Sequence, residues 1–125
     1  MLSKSFEQYK FNEFVNKAIV DLKFDNPTKI QERVFSPVLK GKNIVAKSQT
    51  GSGKSHSFLL PIFSKLNVEK KKTQSIILAP TRELSRQLYD MAVHIAEFSE
   101  DDIKTLENGI KLEENFVTKK AKVEI

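Results

Sequence analysis

"SQTGSGKS", residues 48–55, ends in Gly53-Lys54-Ser55, the closing triplet of the phosphate-cradling pattern G-x-x-x-x-G-K-[ST]. The first position of that pattern is filled by Ser48 rather than glycine, and smallness is its main requirement. Just upstream, residues 43–46 (Asn43, Ile44, Val45, Ala46) read as a short buried strand. Downstream, Lys54 to about Leu66 reads as a helix, with Pro61 a point of kinking. A loop between a strand and a helix start directs backbone N–H groups and the positive helix end at one spot. Gly51 and Gly53 let the backbone come close and adopt positive φ. Lys54 reaches toward outer phosphates, and the Ser55 hydroxyl suits magnesium. A Gly/Ser-rich surface turn is the competing reading of the loop taken alone.

The flanking chain continues the alternation. Phe11, Phe14, Val15, Ala18, Ile19 and Leu22 recur on one helical face. A turn at Asp25-Asn26-Pro27 follows, with Thr28 placed to cap a helix through about Leu39, which Gly41-Lys42 breaks. Residues 75–79 (Ser75, Ile76, Ile77, Leu78, Ala79) form a second apolar run, suited to a sheet covered on both faces. Leu84, Leu88, Met91, Ala92 and Ile95 then line one side of a further helix. His94 falls on its polar side with Glu83, Arg86, Gln87, Asp90 and Glu97, and solvent exposure is expected there. Strand, helix, strand, helix predicts an α/β fold, a parallel sheet with flanking helices.

Composition narrows the class. The 125 residues are 39% hydrophobic and 30% charged, as in a soluble globular chain, and include no cysteine, which excludes disulfides and thiolate metal sites. No apolar run approaches membrane-spanning length, and MLSKSFEQYK lacks a secretory apolar stretch, so no membrane partner and a cytoplasmic location are expected. Sixteen Lys and Arg face nine acids over residues 1–98, whereas seven acids face five lysines over 99–125. A basic body suits a polyanion such as nucleic acid or nucleotide, and equally suits simple solubility. Lys70-Lys71-Lys72 reads as a solvated loop. His56, directly after Ser55, lies near phosphate but outside the motif and is not assigned a catalytic role.

Two further stretches carry a family resemblance. Phe24-Asp25-Asn26-Pro27-Thr28-Lys29-Ile30-Gln31 resembles the Q motif of DEAD-box RNA helicases, and Ala79-Pro80-Thr81-Arg82-Glu83-Leu84 resembles their motif Ia. With residues 48–55 as motif I, all three stand in family order. Phe6 lies seventeen residues before Lys23, where the family carries an isolated aromatic. The run KSQTGSGKSHSFLLPIF, residues 47–63, is most similar to bacterial cold-shock members.

The resemblance implies ATP and Mg2+ as cofactors and RNA as partner. It implies an ATP site of Phe6, Phe24, Pro27, Thr28, Gln31, Ser48, Gln49, Thr50, Gly51, Ser52, Gly53, Lys54 and Ser55. Gln31 carries a donor and an acceptor that match adenine, and Phe24 can stack on or pack beside the base. Core packing is the alternative for Phe6 and Phe24, and an exposed helix position the alternative for Gln31. Pro80, Thr81, Arg82 and Glu83 would meet the RNA backbone with little sequence preference. A simple strand-to-helix turn remains the alternative at Pro80 and, with Thr81 as cap, at Thr81.

Departures from the family pattern bound the function. Lys23 replaces the glycine before the aromatic, and Ser55 and Ser85 replace Thr and Ala. No Asp-Glu-Ala-Asp run and no Ser-Ala-Thr occurs in the chain. Asn108-Gly109 stands where the family has a glycine pair. The expectation is therefore an incomplete RecA-like domain: residues 1–98 as the N-terminal part of the first helicase domain, and 99–125 as a divergent or truncated tail, from a truncated or frameshifted gene. An ATP-dependent RNA helicase by ancestry competes with a non-catalytic nucleotide- or RNA-binding fragment, and a generic P-loop kinase is a distant third. Protein partners are not legible.

Overall fold

The computed structural model describes residues 1–49, 51, 53–67 and 73–98, in two compact units, Met1–Lys65 and Leu66–Ile125. The first unit holds α1 (Lys4–Glu7), α2 (Glu13–Asp21), α3 (Lys29–Leu39) and α4 (Lys54–Lys65), and the second holds α5 (Arg82–Ala96).

In the first unit α4 packs against α3 and α2. The apolar face read from the sequence is the buried one: Val15, Ala18 and Ile19 of α2 meet the same core as Val34 and Phe35 of α3 and Leu59, Leu60 and Phe63 of α4. Phe14 is half-buried, its ring set edge-on to Phe63 at 6.4 Å. Helix α4 runs through Pro61 to Lys65 as a single element.

The short α1 was not expected, since one turn carries no periodicity to read. Its place is set by Phe6, which is fully buried against Phe35 at 6.4 Å. Tyr9 and Phe11 also meet Phe35 edge-on, at 4.9 and 5.2 Å, so one ring organises the whole N-terminal segment. Such aromatic pairs add about 0.5–1.5 kcal/mol each beyond burial. Burial, and secondarily the Glu32 carboxylate, raises the Tyr9 hydroxyl above the ordinary phenol range. Asn12 fastens this segment to the end of α4: its backbone N–H donates to Ser64 Oγ at 3.0 Å and its Nδ2 to the Ser64 carbonyl at 2.8 Å.

Two helices end in the same turn. After α2, the Lys23 N–H donates to Val20 O at 3.0 Å and the Phe24 N–H to Ile19 O at 3.3 Å, with Lys23 at φ +59°. After α3, the Gly41 N–H donates to Val38 O and the Lys42 N–H to Pro37 O, with Gly41 at φ +78°. Both are Schellman turns, whose reversing residue must be left-handed. Glycine accepts that conformation freely, whereas a residue with a Cβ loses about 1–2 kcal/mol there. The departure at Lys23 is therefore a backbone matter: lysine occupies a position with a glycine's geometry.

In the second unit Thr81 caps α5, accepting from the Leu84 N–H at 3.1 Å. Leu88, Ala92, Ile95 and Ala96 are buried, and Leu84 and Met91 half-buried, as the spacing predicts. His94 departs from expectation: it is half-buried and lies edge-on to Phe98 at 5.5 Å. A residue just beyond the helix end supplies that cover, which a helical wheel does not show. Asn67 and Gln74 pair reciprocally: the Asn67 N–H donates to Gln74 Oε1 and Gln74 Nε2 to Asn67 O. The Lys70–Lys72 run falls outside the described residues.

The two expected strands are not formed: among the described residues, 43–46 and 75–79 carry no strand assignment. Strand identity belongs to a pair, because the ladder's hydrogen bonds come from a neighbour. Val45 is fully exposed, and Ile76 and Leu78 are 54% and 71% exposed. Residues 75–80 nonetheless alternate half-buried and exposed, the period of a pleated segment. β-prone composition is present and pairing is not.

Candidate nucleotide site

The Schellman turn after α2 delivers Phe24, whose half-buried ring stands edge-on to His56 at 5.2 Å. Pro27 is buried, and Thr28 then opens α3 with a reciprocal capping box. In that box the Gln31 N–H donates to Thr28 Oγ1 at 3.4 Å, and the Thr28 N–H donates to Gln31 Oε1 at 3.0 Å.

Gln31 does more than close the box. Its Nε2 donates to the carbonyl oxygen of Gly53 at 3.1 Å, across 22 residues of chain, and the residue is only 2% exposed. The same carbonyl accepts the first intrahelical bond of α4, from the Ser57 N–H at 3.2 Å. Gly53 is thus the residue on which α4 starts, and Gln31 is a strut holding it. The exposed-helix alternative for Gln31 does not hold. Both halves of its amide already have partners, and each retains capacity for one more: a second N–H on Nε2 and a second lone pair on Oε1.

Gly53 has no room for a side chain. A Cβ there would stand 2.6 Å from Gln31 Nε2 and 3.1 Å from Thr28 Cγ2, and its φ of +83° would strain any other residue. Gly51 has φ +85° with open space around it. Ser48 is half-buried and Gln49 exposed, while Thr50 and Ser52 lie outside the described residues. Lys54 is exposed, and its Nζ donates to the Ser48 carbonyl at 3.4 Å, drawing the ends of the loop together. Ser57, nearly fully buried, donates its hydroxyl to the Lys54 carbonyl and braces the first turn. Ser55 is half-buried on that turn.

Among the described positions expected to contact nucleotide, Phe24, Thr28, Gln31 and Ser48 meet the start of α4, whereas Phe6 does not. Phe6 is 0% exposed in the core, and in this position it supports the unit from behind rather than offering a ring face to a ligand. Pro80, Thr81, Arg82 and Glu83 begin α5 in the second unit and are exposed. Thr81 spends its hydroxyl on the Leu84 N–H, so the cap is present and the N–H groups of Arg82 and Glu83 precede it. Among the described residues no cluster of His, Cys, Asp or Glu could hold a metal ion, and no helix is long and apolar enough to cross a membrane. Sequence reading missed the Gln31–Gly53 strut and the Phe24–His56 contact. Neither has a local signal, since both join residues more than twenty positions apart.

Comparison with known proteins gives a consistent result. Residues 28–124 match the family described as DEAD/DEAH box helicase. The DEAD-box ATP-dependent RNA helicase CshB of Staphylococcus aureus is 41% identical over 116 residues, covering 92% of this chain and 26% of that protein. Among solved structures, S. cerevisiae Dbp5 bound to RNA and ADP BeF3 superposes with a TM-score of 0.72 at 37% identity, covering 76% of this chain and 25% of that one. A DEAD box protein from the hyperthermophile Methanococcus jannaschii gives a TM-score of 0.68 at 36% identity, over 73% of this chain and 25% of that one. The chain spans about a quarter of the length of the curated relatives it matches.

Proposed function

Since the chain belongs to the DEAD/DEAH box helicase family, we propose that it supplies the ATP-binding start of the first RecA-like domain of an ATP-dependent RNA helicase. The observation that carries this reading is the start of α4: a glycine fixed in place by Gln31, with Lys54 and Ser55 immediately after it. Gly53 itself offers no side chain to occupy the backbone N–H groups of such an end, and the helix dipole adds positive potential. Lys54 would supply a charge to the outer phosphates, and Ser55 a hydroxyl for the accompanying Mg2+. Held there, magnesium would supply positive charge to offset that developing on the phosphates. Phe24, Pro27, Thr28 and Gln31 would form the base side, where the remaining N–H and lone pair of Gln31 match adenine.

Thr81, Arg82 and their neighbours Pro80 and Glu83 would take the RNA backbone. The N–H groups and guanidinium at the start of α5 suit phosphate and read no bases. A cytoplasmic location accords with that role. Residues 43–46 and 75–79 form no strand here, and each would take strand form only in a completed sheet, which would cover the exposed Val45, Ile76 and Leu78. Residues 1–98 would correspond to the N-terminal part of the domain, and the family match continues beyond them to residue 124.

Titration of ATP into wild type and Lys54→Ala tests the reading: loss of the charge should weaken binding about 10–100-fold. Equal affinity in the two proteins would sink it.

A further inference from the structure

The first turn of α4 is gripped at two points by the segment that precedes it. Gln31 holds the Gly53 carbonyl, and Phe24 meets His56, three residues further along. The first grip acts on backbone and shapes the phosphate loop. The second acts between side chains, in an edge-to-face arrangement with an interplanar angle of 85°. Phosphate recognition, as read above, uses backbone N–H groups, Lys54 and Ser55.

We propose that His56 is a positioning residue for the nucleotide base, orienting the ring of Phe24 against which the base packs. The inference rests on the nucleotide-site reading given above. The backbone of Phe24 is already fixed by its bond to Ile19 O in the Schellman turn, which leaves the ring torsions as its remaining freedom. An edge-to-face contact limits that freedom, because the positive edge of one ring seeks the negative face of the other. Phe24 is only half-buried, so part of its ring remains for a ligand. His56 thereby links Phe24 to the first turn of α4.

The test is a split between two probes on the full chain, ATP and inorganic tripolyphosphate, titrated into wild type, His56→Ala and His56→Phe. His56→Ala should weaken ATP about 3–10-fold, the scale of one aromatic contact, while tripolyphosphate affinity stays unchanged. His56→Phe should restore ATP binding, since an aromatic ring returns. Phe24→Leu should reproduce the split from the other side, and adding His56→Ala to it should cost no further affinity, because coupled residues are not additive. If His56→Ala does not fold, His56→Leu, alone and with Phe24→Leu, carries the same comparison. Equal ATP affinity in wild type and His56→Ala would overturn the proposal alone. So would equal losses for both probes, which would make His56 a support of the loop. Wild type that binds neither probe would overturn the nucleotide-site reading, and this inference with it.

Discussion

Helices α4 and α5 both begin at positions suited to phosphate, yet they are built in different ways. α5 starts on Thr81, whose own hydroxyl accepts from the Leu84 N–H, so the end is stabilised by a residue three positions away. α4 starts on Gly53, which has no side chain to offer, and its place is fixed by Gln31 from another helix. A self-capped end engages one of its own donors, whereas the strut at α4 engages an acceptor, the Gly53 carbonyl. The difference teaches that a helix start can be anchored locally through its cap or from another helix through its first carbonyl.

The largest effect should come from filling the space at Gly53. Gly53→Ala adds left-handed strain and drives a Cβ into Gln31 Nε2, at a cost of about 2–4 kcal/mol. Chemical denaturation would measure it, and ATP titration should show binding lost. Gln31→Ala should follow at about 1–3 kcal/mol, the penalty for leaving buried partners unmet. Combined, the two should cost clearly less than their sum, since both break one strut. Additive losses would mean that Gly53 and Gln31 are not coupled, and the comparison would fail.

Thr81→Ala tests the other helix start. Losing a local cap should cost about 1 kcal/mol and leave ATP affinity unchanged. A loss of ATP affinity at this position would break the comparison, because the cap would then bear on nucleotide binding. The smallest change runs the opposite way. Lys23→Gly relieves a left-handed lysine and should stabilise the chain by about 0.5–1 kcal/mol, since glycine's own entropy offsets part of the gain. Thermal melting would register it, and Gly41, already glycine in the matching turn after α3, is the internal control.

What the sequence revealed follows this same division between local and distant causes. The caps at Thr28 and Thr81, the break at Gly41 and the faces of α2 and α5 were legible, because each depends on residues within one or two turns. The strut from Gln31 was not, because a hydrogen bond across 22 residues leaves no mark in spacing. Lys23 could be seen to depart from a family pattern, but the reason, a φ of +59°, needed the backbone. The expected strands at 43–46 and 75–79 failed for the opposite reason: their composition was read correctly, and composition does not make a ladder. Phe6 shows the limit of carrying a role by position, since its ring is wholly enclosed.

The ring cluster around Phe35 also gives the molecule an optical signature. The chain has no tryptophan and two tyrosines, so its near-ultraviolet signal at the tyrosine band comes from Tyr9 in one unit and Tyr89 in the other. Tyr9 stacks on Phe11 at 5.7 Å and meets Phe35 edge-on, a fixed asymmetric setting that generates circular dichroism where a freely rotating phenol gives little. Tyr89 is half-buried under the guanidinium of Arg86 at 5.6 Å. Alkaline titration of a Tyr89→Phe variant, which leaves Tyr9 as the single phenol, should therefore place its absorbance step above the ordinary phenol range. The stability it contributes is complete below the unfolded phenol value of about 10 and disappears as pH rises through its raised folded value. Absorbance in the phenolate band thus reports, without any label, whether the N-terminal segment is still docked on Phe35.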